Sequence, residues 1–164
     1  MKRTDREPPD FTDDTALGAT KKRALRIMGR RNMSAADMEK RLLDKGEPPD
    51  LVRETVDWLI SMGAINDPEY AVLIVRHYCA KGYGPARVRD ELFKRGIPRE
   101  LWDSVLENLD AEESADAAYD FLVKRLKGST DRDDIRRASD ALVRRGFGFD
   151  DARAAVNRYL ESLN

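Results

Sequence analysis

Residues 91–101 read ELFKRGIPREL. A Lys-Arg-Gly string between an apolar pair and a proline reads as the end of one helix and the start of the next. Gly96 can take the left-handed conformation that closes a helix at low steric cost. Ile97 can fold back on the last turn, and Pro98 presets φ for the helix that follows. Lys94 and Arg95 put positive charge at the negative end of the helix dipole. Fifty residues earlier stands RLLDKGEPPDL (41–51), and fifty later ALVRRGFGFDD (141–151). Gly46, Gly96 and Gly146 therefore mark one structural turn, used three times at a fixed step. A period of this length is the signature of a tandem array.

Working outward, the residues after each glycine have helical periodicity. Val52, Thr55, Val56 and Leu59 fall at i, i+3, i+4 and i+7, with Thr55 the weak member. Trp102, Val105, Leu106 and Leu109 repeat the pattern, as do Ala152, Ala155, Val156 and Tyr159. Each set predicts one apolar stripe on an amphipathic helix. A second helix precedes each glycine, with stripes Ala35, Met38, Leu42, Leu43, then Pro85, Val88, Leu92, Phe93, then Ile135, Ala138, Leu142, Val143. Ser34 with Asp37 predicts a capping box for the first, Pro85 suits the first turn of the second, and Ser129 or Thr130 is expected to cap the third. A further helix comes before each pair, with Ala24, Leu25 and Met28, then Ala71, Ile74, Val75 and Tyr78. Ala118, Phe121 and Leu122 fit only after a shift of three residues, which predicts three extra residues in the connection LKGSTDRDD (126–134).

The expected fold class is all-α. Three tandem three-helix repeats, at 16–62, 67–109 and 111–162, would form an elongated, curved helical array. Residues 1–15 (MKRTDREPPDFTDDT) lack periodicity, carry Pro-Pro and read as a disordered tail.

Charged residues make up 37% of the 164 and aromatics 7%, which favours solvated helices over a sandwich or barrel. With 30 basic and 31 acidic residues, bulk charge points to neither nucleic acid nor membrane. Cys79 has no second cysteine to pair with, so a reducing compartment is expected. The longest apolar run, YAVLIV (70–75), is too short to span a bilayer, and the first twenty residues are not a secretory signal. The reading is cytoplasmic.

No catalytic constellation is visible around His77, the one histidine, and neither a P-loop nor a nucleophile elbow is present. One Cys and one His do not suggest zinc. No enzyme activity, cofactor or metal is expected, and His77 and Cys79 read as ordinary helix residues. Trp102 lies on its apolar stripe and reads as core, whereas Trp58, beside its stripe, suits either core or an exposed stacking platform.

The charges are unevenly placed. Residues 21–31 (KKRALRIMGRR) hold six basic side chains and no acid. Lys22, Arg26 and Arg30 are spaced by four and predict one ridge on the first helix, flanked by Arg23 and Arg31. Such a ridge can track phosphates or an acidic protein surface, and is otherwise a solvated face. Lys94, Arg95, Arg144 and Arg145, with Lys45, recur at the same turn of the period, at two adjacent positions. They could line one edge of the array, and helix-dipole compensation explains each equally well.

These residues carry a family resemblance. ALRIMGRRNMSAADMEKRLLDKG (24–46), INDPEYA (65–71) and KGYGPARVRDELFKRGIP (81–98) resemble the RecX family of regulatory proteins, over about residues 20–162. The most distinctive part couples Asp67, Tyr70 and Ala71 to the run Gly84, Val88, Glu91, Leu92, Arg95, Gly96. The third unit is looser, keeping Arg144, Arg145, Gly146 and Phe147, with Gly148 where the others have Pro48 and Pro98.

The resemblance implies a small all-helical regulator that binds the RecA filament on single-stranded DNA. It implies inhibition of the filament's ATPase, strand-exchange and co-protease activities, and so modulation of DNA repair, recombination and the SOS response. Expected contacts to filament or DNA are Lys22, Arg26, Arg30, Lys94, Arg95, Arg144 and Arg145. The protein would be a monomer, with no membrane partner and weak direct DNA binding. The alternative is a DNA-binding protein with tandem helix-turn-helix-like units. Against it, ETVDWL (54–59) and DSVLENLD (103–110) carry mixed charge and make poor recognition helices.

Overall fold

The structure, a computed structural model, describes residues 14–107 and 111–164, with side chains from 114 onward in the second segment. Every regular element among them is helical, as the periodicity requires: α1 (Ala16–Met28), α2 (Ala35–Asp44), α3 (Pro49–Ser61), α4 (Asp67–Ala80), α5 (Pro85–Lys94), α6 (Trp102–Glu107), α7 (Ala111–Leu126), α8 (Arg132–Arg144) and α9 (Phe149–Glu161). A 3-10 turn, Arg99–Leu101, leads into α6. Of the expected tail, residues 1–13 lie outside the described residues. Asp14 and Thr15 lie within them, and the Thr15 hydroxyl caps α1 by accepting the Gly18 N–H at 3.1 Å. Leu109 of the expected α6 stripe also lies outside the described residues.

The chain gathers into two compact units. One runs to Tyr70 and includes Arg95–Ile97; the other comprises Ala71–Lys94 and the residues from Pro98 onward. In the first, α1, α2 and α3 bury Ala24, Met38, Leu42, Val52 and Leu59, each at most 1% exposed. A fully buried leucine stabilises by roughly 1.5–3 kcal/mol. Thr20 is also buried; its hydroxyl meets Glu47 Oε2 at 2.6 Å, and Arg23 Nη1 holds the other oxygen at 2.7 Å. In the second unit Ala118, Leu122, Ala138, Leu142, Ala152 and Tyr159 form the core of α7, α8 and α9. Arg158 of α9 pairs with Asp116 of α7 across their exposed edge.

Four local expectations are corrected. The last stripe positions of α2 and α5 do not reach a core: Leu43 is 40% and Phe93 66% exposed. The three additional residues before Gly146 are not loop, because α8 has 13 residues where α2 and α5 have 10. The cap of α8 is Asp131, not Ser129 or Thr130; its Oδ1 accepts the N–H of Asp133 and Asp134 at 2.9 and 3.1 Å. Ser129 instead donates its hydroxyl to Asp134, while its carbonyl receives the Tyr159 hydroxyl. The capping box at Ser34 is half made: Ser34 Oγ accepts the Asp37 N–H at 3.1 Å, but the Asp37 carboxylate turns to Arg41. Gly148 replaces proline without changing the path, holding φ −67° where Pro48 and Pro98 have −59° and −56°.

The amino terminus of α2 is completed from outside the helix. Asp67, the first residue of α4, accepts the Ala35 N–H at 3.0 Å. Burial pushes the Asp67 carboxyl above the ordinary carboxylate range, with the Ala35 hydrogen bond opposing the rise. A carboxyl whose folded-state value is raised binds its proton more tightly when folded. Its contribution to stability is therefore greatest in acid and is lost as pH rises through the raised value. Asp67→Asn keeps an acceptor for Ala35 without the buried charge. Urea unfolding of both proteins should show the variant gaining on wild type as pH rises from the ordinary carboxylate value, about 4, through the raised one; a parallel pair of curves would remove this account.

Thr55 gives a second test. It is fully buried on α3, and its hydroxyl has no hydrogen-bond partner among the described residues. Replacing an unsatisfied buried hydroxyl by methyl removes a desolvation penalty, so Thr55→Val should stabilise by about 1 kcal/mol in urea denaturation.

Candidate functional site

The basic run of residues 21–31 is divided by the structure. Gly29 closes α1 with φ +54°, its N–H bonded to Leu25 O at 3.0 Å. Lys22 and Arg26 share the helix, whereas Arg30 lies past its end, so the predicted three-residue ridge is cut to two. Lys22 lies 3.7 Å from the exposed Asp14, a contact that solvent weakens. Arg23 is taken up by Glu47, and Lys21 Nζ sits 5.0 Å from the centre of the Trp58 ring. Trp58 is thus core-packed, with a cation at its face, rather than an open platform. Arg26 and Arg30 are exposed, with no ion-pair partner among the described residues.

The basic residues at the repeated turn also differ from one another. Lys94 is exposed and lies 3.5 Å from Glu91, a carboxylate that is itself 5% exposed. Glu91 also binds Arg87 Nη2 at 3.0 Å and accepts the Tyr78 hydroxyl at 2.9 Å, tying α4 to α5. Arg145 is turned inward. Its Nη1 donates to the carbonyls of Lys81 and Gly82 at 3.1 and 3.2 Å, just past the end of α4. Its guanidinium lies 5.0 Å from the Tyr83 ring centre and 4.7 Å from that of Phe121, with Arg87 and Arg125 beyond on the same two rings. Cations and rings alternate through Arg125, Phe121, Arg145, Tyr83 and Arg87. Arg145 therefore braces the second unit. Arg144, its neighbour, is exposed. The Arg95 carbonyl accepts the Ser34 hydroxyl in the first unit.

The three glycines are not equivalent. All have positive φ: +82° at Gly46, +68° at Gly96 and +94° at Gly146. A Cβ on Gly96 would stand 3.1 Å from Ala36 Cβ and 3.2 Å from Ser34 Oγ, at the start of α2. A Cβ on Gly146 would overlap Arg87, at the start of α5. There the Gly84 N–H donates to Arg145 O at 2.9 Å and the Ala86 N–H to Gly146 O at 3.1 Å. Gly84 has no room for a side chain, because its Cβ would overlap the Gly146 carbonyl. Gly46 has no described residue within 4 Å of a built Cβ.

Sequence reasoning missed three working residues: Asp67 as the outside cap of α2, Glu91 as a buried carboxylate, and Gly84 as the seat of the Gly146 turn. Gly84 had a signal, since it stands fifty residues after Ser34. Glu91 had a signal only in the family motif and none in the internal repeat, because Arg41 and Ala141 occupy its equivalent positions.

Comparison with known proteins places this geometry. Residues 66–106, which hold α4, α5 and most of α6, match the family model described as RecX, second three-helix domain. The regulatory protein RecX of Xanthomonas axonopodis pv. citri is 34% identical over 141 residues, covering 85% of this chain and 86% of that protein. RecX of Halorhodospira halophila is 31% identical over 144 residues, covering 86% and 88%. The crystal structure of RecX from Lactobacillus salivarius superposes with a TM-score of 0.75 at 20% identity, over 90% of this chain and 96% of that one, and shows the fold. With the sequence likeness spanning most of both chains, and the shared fold beneath it, the protein belongs to the RecX family of regulatory proteins.

Proposed function

We propose that this protein binds the RecA filament on single-stranded DNA and inhibits its ATPase, strand-exchange and co-protease activities. It thereby modulates repair, recombination and the SOS response as a regulator rather than an enzyme. The observation that carries the reading is the family likeness over 85% of the chain. In this reading the chain is three tandem three-helix repeats, acts as a monomer, and touches bare DNA weakly. The contact is steric and electrostatic, with basic side chains meeting acidic protein surface or bound phosphates. Exposure supports Arg26, Arg30, Lys94 and Arg144 as contacts, with Lys22 half-buried beside them. Arg145 is withdrawn from that set, since its guanidinium holds the Lys81 and Gly82 carbonyls.

ATP hydrolysis by RecA on single-stranded DNA, titrated with this protein below the RecA concentration, tests the reading. Suppression without comparable tight binding to bare DNA is expected. Unchanged hydrolysis together with tight, steeply salt-dependent binding to bare DNA would favour a direct DNA-binding protein instead. Lys22→Glu, Arg26→Glu and Arg30→Glu combined should weaken filament binding about tenfold or more. Equal affinity would remove this end of the chain from the contact.

A further inference from the structure

The turn that closes α2 is built like the turns after α5 and α8. A Lys or Arg precedes each glycine, all three have positive φ, and at two of them the glycine N–H bonds back to the third residue before it, Leu43 for Gly46 at 2.8 Å and Val143 for Gly146 at 2.9 Å. The later turns are both docked on the amino terminus of a helix. In the first unit the Arg95 carbonyl takes the Ser34 hydroxyl, and Gly96 rests on Ala36. In the second the Arg145 and Gly146 carbonyls take the N–H groups of Gly84 and Ala86, while the Arg145 side chain reaches the carbonyls that end α4. The Arg145 turn thus engages a helix–turn–helix corner at two points: its cation meets the carboxyl end of the first helix, and its carbonyls meet the amino end of the second. The remaining turn has no such seat: Lys45 and Gly46 are exposed, and neither carbonyl receives a hydrogen bond from the described residues.

We propose that the Lys45–Gly46 turn is a docking element for a helix–turn–helix corner on the filament protein; this rests on the function proposed above. The seat needs a small residue, Gly, Ser or Ala, at the start of its second helix, as Ser34 and Ala36 or Gly84 and Ala86 provide here. It needs unpaired N–H groups in that first turn for the Lys45 and Gly46 carbonyls. It also needs exposed carbonyls ending the preceding helix for the Lys45 ammonium. A second copy of this chain fits poorly. Its comparable corner, before α8, is lengthened by a helical turn, and Asp131 already takes the N–H groups of Asp133 and Asp134.

Gly46→Asn tests this. Asn tolerates positive φ better than other side chains, and its Cβ would meet open space in the isolated protein. The same Cβ would obstruct a docked partner, as the overlap at Gly146 and the tight 3.1 Å approach at Gly96 show. The variant should stay folded, melting somewhat below wild type because of its positive φ, yet bind the RecA filament on single-stranded DNA about tenfold more weakly. Lys45→Glu, an exposed substitution, is the second variant, read in the same titration with the same expected loss. Filament binding by wild type with equal affinity for both variants overturns the docking element and leaves the proposed function standing. Absence of wild-type binding overturns both. A wild-type dimer in sedimentation that Gly46→Asn dissociates would make a second copy the occupant and overturn the assignment to the filament.

Discussion

The structure depends on how the amino termini of α2 and α5 satisfy N–H groups that no helix can satisfy for itself. Each receives a positive-φ Gly turn from a later part of the chain, and the two sites reach the same end by different chemistry. At α5 the absence of a side chain on Gly84 lets the Arg145 and Gly146 carbonyls come directly to the backbone N–H groups. At α2 the Ser34 hydroxyl bridges to the Arg95 carbonyl, and the Ala35 N–H is given to Asp67 instead. Ser34 uses its hydroxyl in both senses, accepting from Asp37 and donating to Arg95. A small residue at the seat and glycine at the turn are thus two halves of one steric requirement.

Charge is divided between bracing the fold and facing solvent. Glu47 fastens Thr20 and Arg23, and Glu91 fastens Tyr78, Arg87 and Lys94. Arg145 holds backbone carbonyls between two rings. Such groups are partly withdrawn from water and fixed by several partners, so their loss would act through packing as well as charge. The exposed Arg26, Arg30 and Arg144 are in the opposite situation: their side chains are solvated, and removing them leaves the core untouched. A nearly neutral chain can therefore present local basic surface, because many of its other cations are neutralised within it.

The helices were legible from period alone. Val52, Val56 and Leu59, or Ala138 and Leu142, are buried where a 3.6-residue repeat puts them. Element ends were less legible. Three residues assigned to a loop became the first turn of α8, because Asp131 could cap it as well as Ser129 or Thr130. Leu43 and Phe93 completed a stripe on paper yet face solvent, since each helix is covered on only part of its apolar face.

The sequence by itself determined the all-α class, the three equally spaced glycine turns and the family, because periodicity, positive-φ turns and motif spacing are local properties of the chain. Only the tertiary structure decided which of the turns is docked, which arginine is committed to a brace, and which carboxylate caps a distant helix. Those outcomes depend on groups such as Ser34 and Arg95, or Lys81 and Arg145, which are sixty or so residues apart and meet only when the helices pack. Lys45, Arg95 and Arg145 occupy one position of the period, and only their packed surroundings distinguish them.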